Sequence, residues 1–559
     1  MKYPEIKLAQ QIIQHCKSYN IKHIIISPGS RNAPLTMGFY EDPFFNCFSI
    51  VDERCAAFFG LGMAQQIKHP VAVICTSGSA LLNYYPAISE AYYSDIPLIV
   101  ISADRPSHKI NIGDGQTINQ RNIFENHILV SANLTEAENE EQKNMNLLHQ
   151  ALKTSILSKG PVHINAPFEE PLYEMKEGTL PLLPSSLVAA KEFIPELEKG
   201  ETNSFIDDWN LSQKKLVLVG VQHPNTIKEE VLDILSRDPS VIVLTETTSN
   251  LYHSEFFPAI DQLIAPIEKL EDKISALQPD MLITFGGMII SKKIKAFLRK
   301  YPPKVHYHID AKKAYNTYFC LTHHFKTSVN EFFKAVGNHL KVNESAYKLF
   351  WKNIKLHRIA RHDNYIQQIP FSDFLVYHHL FSKIPHHVVL QLSNSSTVRY
   401  AQLFNLHNSF EVYCNRGTSG IDGSTSTALG AASVNKSPVV LVTGDLSFFY
   451  DSNALWNDYI PQNFKIILIN NGGGGIFRIL PGPKSSQKFH TYFETRHKLS
   501  AASLCEMFHF IYNSAKDEQE LISTLPEFFN DNSAPRLLEI FTPTAINDEI
   551  LLDYFRFIV

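Results

Sequence analysis

Cysteine pairs are missing from this chain. Its seven cysteines stand singly at positions 16, 47, 55, 75, 320, 414 and 505, with no CxxC spacing. That argues against a zinc site and a disulfide framework, and for reduced thiols. Long uncharged apolar runs are missing too, since none approaches the roughly 18 residues that a membrane-spanning helix needs. The start, MKYPEIKLAQQIIQHCKSYN, has no apolar signal core and no small-residue cleavage site, so a cytoplasmic location is expected. Neither sign of charge is in excess. A net charge of −5 offers no footprint for nucleic acid or another polyanion.

What is present is an ordinary core-forming composition, 44% hydrophobic and 19% charged over 559 residues, enough for about three to four domains. In the first third, HIIIS (23–27), PVAVICTSG (70–78) and PLIVISADRP (97–106) are near-continuous apolar runs, as expected of strands buried on both faces of a parallel sheet. Residues 55–66 and 80–93 supply crossover helices. The middle repeats the alternation with KLVLVG (215–220), SVIVLTET (240–247), DMLITFGG (280–287) and KVHYHID (304–310). The last third resumes it with VVLQLSN (388–394), PVVLVTGDLS (438–447) and FKIILINN (464–471). The fold class expected is α/β, with three doubly wound parallel-sheet domains at 1–178, 205–340 and 373–559. A Pro- and Ser-rich linker at 179–204 and a helical linker at 341–372 separate them. In the second linker, Lys352, Lys355, Arg358 and Arg361 recur every three residues and are expected to form a solvated helix face.

The stretch TGDLSFFYDSNALWNDYIPQNFKIILINNGGGGIF (443–477) places four glycines directly after an apolar strand. Linker glycines have polar surroundings, whereas these follow a buried run. Asp445 and Asn471 each fall where a strand ends, the edge at which open α/β sheets bind ligands. A carboxylate and an amide oxygen side by side suit Mg²⁺ with phosphate oxygens. Glycines beside them let the backbone approach a diphosphate.

The arrangement resembles the thiamine-diphosphate-dependent enzymes, whose GD and downstream NN bind Mg²⁺ and the cofactor's diphosphate. The resemblance implies a pyrimidine-binding first domain, a central domain and a diphosphate-binding third domain. It also implies thiamine diphosphate with Mg²⁺ (or Mn²⁺), held by Asp445, Asn471 and the backbone carbonyl of Gly473. Ser395, Gly420, Gly444, Leu446 and Ser447 would line the cofactor, with Ile476 and Phe477 as apolar walls. Glu53, in DER, matches the glutamate that hydrogen-bonds the aminopyrimidine and activates the cofactor. Ile421, in SGIDG, matches the residue that props the cofactor into its bent shape.

Further stretches narrow the resemblance: ISPGSRNAPLT (26–36), VDERCAAFFGLGMA (51–64), TSGSALLNYYPAISEA (76–91), SADRP (102–106), GPVHINAPFEEPLY (160–173) and CNRGTSGIDGSTSTALG (414–430). They are similar to the branch of the family that joins 2-oxoglutarate to isochorismate, with loss of CO₂, in menaquinone biosynthesis. Two dicarboxylate substrates call for planar, bidentate cations. By resemblance, Arg31, Arg105, Gln116, Lys292 and Arg416 lie on the isochorismate side, with Lys293 the rival of Lys292. Arg399 and Ser395 would hold the part derived from 2-oxoglutarate. The catalytic set implied is Glu53, Gln116, Arg399, Arg416 and Ile421. Ile50, Gly115, Gly472 and Glu169 depart from the branch's usual residues without removing one of these groups. The resemblance also implies a homodimer or dimer of dimers with active sites between subunits, and no nucleic-acid or membrane partner. The competing readings are another thiamine-diphosphate decarboxylase, an acetolactate-synthase-like carboligase, or a binding module that keeps the fold without turnover.

Overall fold

The structure, a computed structural model, describes residues 2–180, 197–198, 200–265, 271–479 and 486–559. Most of the expected linker 179–204 lies outside the described residues. Three parallel sheets run along the chain. The first contains β2 (His23–Ile26), β3 (Asn46–Ser49), β4 (Val71–Cys75), β5 (Leu98–Asp104), β6 (Ser131–Asn133) and β7 (Val162–Pro167), in the order β3-β2-β4-β5-β7-β6. A short antiparallel pair, β1 (Lys2–Pro4) with β8 (Met175–Glu177), closes that domain. The middle sheet has the order β10-β9-β11-β12-β13, from β9 (Lys215–Val219), β10 (Val241–Leu244), β11 (Met281–Phe285), β12 (Val305–Ile309) and β13 (His323–Phe325). The third has the order β15-β14-β16-β17-β19-β18. Its strands are β14 (Val389–Leu392), β15 (Glu411–Tyr413), β16 (Val439–Gly444), β17 (Lys465–Asn470), β18 (Ile511–Ala515) and β19 (Arg536–Phe541).

Each sheet is covered on both faces. Along β4, Val71, Val73 and Cys75 enter one apolar cluster while Ala72 and Ile74 enter another. That period of two explains why its sequence is apolar at every position. The first of these clusters does not stop at the domain edge. It runs on into Leu441, Ile466 and Leu468 of the third domain. The bridge is the helix Glu53–Ile67 packed on the helix Ser424–Val434. Their backbones come so close that a Cβ on Gly62 would lie 2.0 Å from the Thr427 carbonyl oxygen. In this structure that contact is made within one chain.

The basic stripe on the helix Tyr347–Ile366 is not the solvated face that its spacing suggests. Arg358 is 6% exposed. Lys355 donates to the Phe256 carbonyl at 2.9 Å, and Arg361 donates to the Phe557 carbonyl while stacking on the Phe557 ring. The stripe ties the middle domain to the C-terminal helix Asn547–Phe557, with only Lys352 left exposed. Spacing showed the periodicity but could not show that two other elements cover it.

Candidate active site

Asp445 opens the short helix Asp445–Tyr450 directly after β16, and Asn471 follows β17. The two strands are parallel neighbours, with Gly444 level with Ile469. Asp445 is buried, and its carboxylate accepts the Leu446 N–H at 2.6 Å and the Gly473 N–H at 2.9 Å. His497 Nε2 stands 3.3 Å from the oxygen that faces Gly473. His497 Nδ1 accepts the Leu499 N–H at 3.1 Å, which leaves Nε2 as the nitrogen that faces Asp445. Asn471 donates its amide N–H to Asp373 at 2.9 Å. Burial pushes the Asp373 carboxyl up to about 6; the charge of Asp445 adds to this, while the bonds from Thr542 and Asn471 oppose it.

The four glycines form a pinned loop. Gly473 has φ +146°, and a Cβ there would lie 2.6 Å from the Glu494 carbonyl oxygen. The Gly474 N–H donates to that same oxygen at 2.6 Å. Glu494 is fully buried, and its carboxylate collects His490 and Arg496 at 2.6 Å each, together with Arg478. Ile476 and Phe477 follow at the rim, with Phe477 exposed.

A second loop faces this one. Ser447 donates its hydroxyl to the Ile421 carbonyl at 2.6 Å, and the Ile421 side chain is exposed. Asn394, at the end of β14, donates to the carbonyls of Asn415 and Gly420 at 2.7 Å and accepts Arg416 Nη1 at 2.7 Å. Ser395 takes φ +71°, and its carbonyl accepts Arg399 Nη1 at 2.6 Å. Burial lowers the Arg399 pKa from its ordinary value, Arg416 acts in the same direction and Asp261 opposes them, and the guanidinium stays charged. Two guanidiniums that disfavour one another, Arg416 buried and Arg399 half-buried, make a place for an anion.

The middle domain adds charge to this corner. Lys292 begins the helix Lys292–Lys300 and is exposed, whereas Lys293 lies over the Phe555 ring. Lys295, which the sequence did not single out, is half-buried. Burial lowers its pKa, Arg416 acts in the same direction and Glu246 opposes it. Glu246 accepts the Ile290 and Ser291 N–H groups at 2.7 Å, and burial pushes it up to about 7.

In the first domain Glu53 sits at the start of its helix, capped by Asp52, and accepts Asn83 Nδ2 at 3.3 Å. A carboxylate is favourable there. Its neighbours fasten it to the third domain: Asp52 accepts Asn453 at 2.8 Å and Arg54 donates to the Tyr450 carbonyl at 2.8 Å. Arg31 is buried and donates to the Phe168 carbonyl and to Glu170, both at 3.0 Å. Arg105 lies 3.9 Å from the same Glu170 and donates to the Gly115 carbonyl at 3.2 Å. Gln116, at φ +54°, is exposed next to it. Of the departing residues, Ile50 is core, and Glu169 pairs with Lys109 and His108. Among the described residues, no hydrogen bond or ion pair joins Arg31 or Arg105 to Arg416 or Lys292. Asp373, Asn394, Glu494 and His497 were missed in the sequence. Only Asp373, in the helix-start pattern SDF, carried a local signal.

Residues 6–128 match the thiamine pyrophosphate enzyme N-terminal TPP binding domain, and residues 395–540 the corresponding C-terminal TPP binding domain. A protein of Flavobacterium johnsoniae is 54% identical, and one of Christiangramia forsetii 53%, each over 100% of both chains. One from Bacteroides thetaiotaomicron is 36% identical over 99% of both. All three bear the name 2-succinyl-5-enolpyruvyl-6-hydroxy-3-cyclohexene-1-carboxylate synthase. The chain belongs to this synthase family. It is a thiamine-diphosphate-dependent enzyme, and full-length coverage makes the synthase similarity a property of all three domains.

Proposed function

We propose that this synthase decarboxylates 2-oxoglutarate and adds the remaining four-carbon unit to isochorismate, giving the product named in its relatives and CO₂. The observation that carries the reading is a set of unsatisfied donors. Arg31, Arg105 and Arg416 each keep a buried Nε–H without a partner, which is costly unless an acceptor arrives. Carboxylates of two dicarboxylic substrates are such acceptors. Arg31, Arg105, Gln116, Lys292 and Arg416 take isochorismate, and Arg399 with Ser395 the other substrate. Lys293 is spoken for by Phe555, which favours Lys292 as the lysine at the site.

The residues at the β16 and β17 ends fit the cofactor's metal. Asp373 claims the Asn471 amide nitrogen, so the amide oxygen is the atom left to bind. With the Asp445 carboxylate and the Gly473 carbonyl it forms a hard-oxygen set suited to Mg²⁺ or Mn²⁺, with phosphate and water completing the shell. Thiamine diphosphate, when bound, supplies the carbon nucleophile and the electron sink for decarboxylation. The Glu53 carboxylate holds the proton at the aminopyrimidine. Ile421 props the ring system, and Ile476 and Phe477 keep water from the reacting carbon.

No helix among the described residues is long and apolar enough to cross a membrane, in keeping with the proposed cytoplasmic location. A homodimer or dimer of dimers with shared sites is proposed from the resemblance. The deciding assay is CO₂ release from 2-oxoglutarate, which should require isochorismate, cofactor and Mg²⁺ together. Release that ignores isochorismate, or that prefers pyruvate as donor, would overturn the reading.

A further inference from the structure

Glu90 lies in the ISEA run, which the cofactor and substrate assignments leave unused. It sits on the helix Tyr85–Ser94 and is 1% exposed, yet its carboxylate reaches the third domain. Oε1 accepts the Gly417 N–H at 2.7 Å and the Ser94 hydroxyl at 2.7 Å. Oε2 accepts the Thr418 N–H at 2.7 Å and the Thr418 hydroxyl at 2.8 Å. Two backbone and two hydroxyl donors thus surround one buried carboxylate, and charge-assisted bonds of this kind are roughly twice as strong as neutral ones.

Gly417 is the other half of the device. A Cβ there would lie 2.7 Å from the Glu90 carbonyl oxygen and 2.7 Å from Ser94 Oγ, so a side chain would push the loop off its anchor. The glycine of NRG, unexplained by any ligand, is accounted for by this approach. The loop so held begins with Arg416 and ends with Ile421. Its third-domain fastenings are Asn394, on Arg416 and the Gly420 carbonyl, and Ser447, on the Ile421 carbonyl. Glu90 supplies a fastening from the first domain, where Arg31, Arg105 and Glu53 lie.

We propose that Glu90 is a positioning residue. It holds the 416–421 loop against the first domain, so that the Arg416 guanidinium meets isochorismate in register with the first-domain arginines. The inference rests on the site reading above. An ionised carboxylate accepts from every donor around it, whereas an amide must turn its NH₂ towards one of the loop's N–H groups. Glu90→Gln should therefore displace the loop, and Arg416 with it, without altering any side chain that touches substrate.

The test is steady-state kinetics of the holoenzyme with each substrate varied in turn. For Glu90→Gln the KM for isochorismate should rise about tenfold or more, the scale of one lost charge-assisted bond, with the KM for 2-oxoglutarate unchanged. Thr418→Val, which removes one hydroxyl donor and keeps the shape, should move the same KM in the same direction by less. It keeps the test alive if Glu90→Gln does not fold. A merely structural Glu90 would lower kcat with the active fraction and leave both KM values alone, and that result overturns the inference. Equal rises in both KM values overturn it as well. Arg416→Ala separates the two levels. If it raises the isochorismate KM while Glu90→Gln and Thr418→Val do not, the positioning role fails alone. If Arg416→Ala leaves that KM unchanged, the site reading fails, and the inference with it.

Discussion

The Asp373 carboxylate accepts the amide N–H of Asn471 at 2.9 Å, and so decides which end of that amide faces Asp445. The two residues are 98 positions apart, and the bond turns a flexible side chain into an oriented oxygen donor. Asp445→Ala should abolish Mg²⁺-dependent cofactor binding or weaken it by at least about tenfold, since it removes the anionic ligand. Asp373→Ala should give a smaller loss in the same direction, because the amide is then free to turn. Calorimetry with thiamine diphosphate at fixed Mg²⁺ measures both. Unchanged affinity in Asp445→Ala would reject the metal site.

Glu53→Gln should keep the cofactor and lose nearly all turnover. The diphosphate end is anchored on another domain, whereas a neutral amide cannot hold the proton that the aminopyrimidine exchanges. Cofactor affinity and kcat, measured on the same preparation, give the two halves of the answer. Near-normal kcat would remove Glu53 from the mechanism.

The arginines should separate by substrate. Arg399→Ala is expected to impair mainly 2-oxoglutarate use and Arg105→Ala mainly isochorismate use, each by roughly tenfold or more in kcat/KM for its own substrate. Equal effects on both would show that the pocket is not divided as proposed.

Asp451 gives a pH signature. It accepts the Ser426 N–H at 2.7 Å and lies 3.6 Å from Cys55 Sγ, at the junction of the two long helices, and burial pushes its carboxyl up to about 6. The folded state therefore holds this proton more tightly than the unfolded chain does. Its ionisation costs nothing below about pH 4 and its full cost is present above about pH 6, so stability falls as pH rises through that window. Relative to Asp451→Asn, the wild type should lose roughly 3 kcal/mol between those pH values. Urea unfolding at several pH values measures the difference, and a flat difference would contradict a buried carboxyl with a raised pKa.

A mixing experiment addresses which chain completes a site. Glu53→Gln chains are combined with Asp445→Ala chains under conditions that exchange subunits. If sites are shared, a mixed dimer has one site with both defects and one with neither, and activity should partly return. That return is expected from the resemblance, which implies that the two ends of the cofactor are held by different subunits. Verified heterodimers that stay inactive would mean that each chain builds its own site, as the packing within one chain permits.

The strands that were legible are near-continuous apolar runs, as in β4, in β9 after Lys215 and in β16 up to Thr443. Short edge strands were not, because β3, β6 and β13 pair on one side only and mix polar residues with apolar ones. β19 was hidden for another reason. It is buried in the sheet but carries Arg536, which pairs with Asp531, and Glu539, which accepts from Asn470, Ser500 and Tyr512. No local pattern reveals such partners. The same holds at the site. Asp445, Asn471 and the glycines announce themselves by spacing, while Glu494, Asn394 and Asp373 act through bonds to side chains and carbonyls that the fold brings to them, which spacing does not reveal.

The cluster that runs from β4 into β16 and β17 sets how the molecule comes apart. Side chains from both the first and the third domain complete the same apolar interior, so neither can melt without exposing the other's core. The middle sheet is enclosed by two clusters of its own, drawn from residues 197–354. The chain accordingly has fewer cooperative units than sheets. The two domains that hold the cofactor unfold as one, and the domain between them in sequence has the means to unfold by itself.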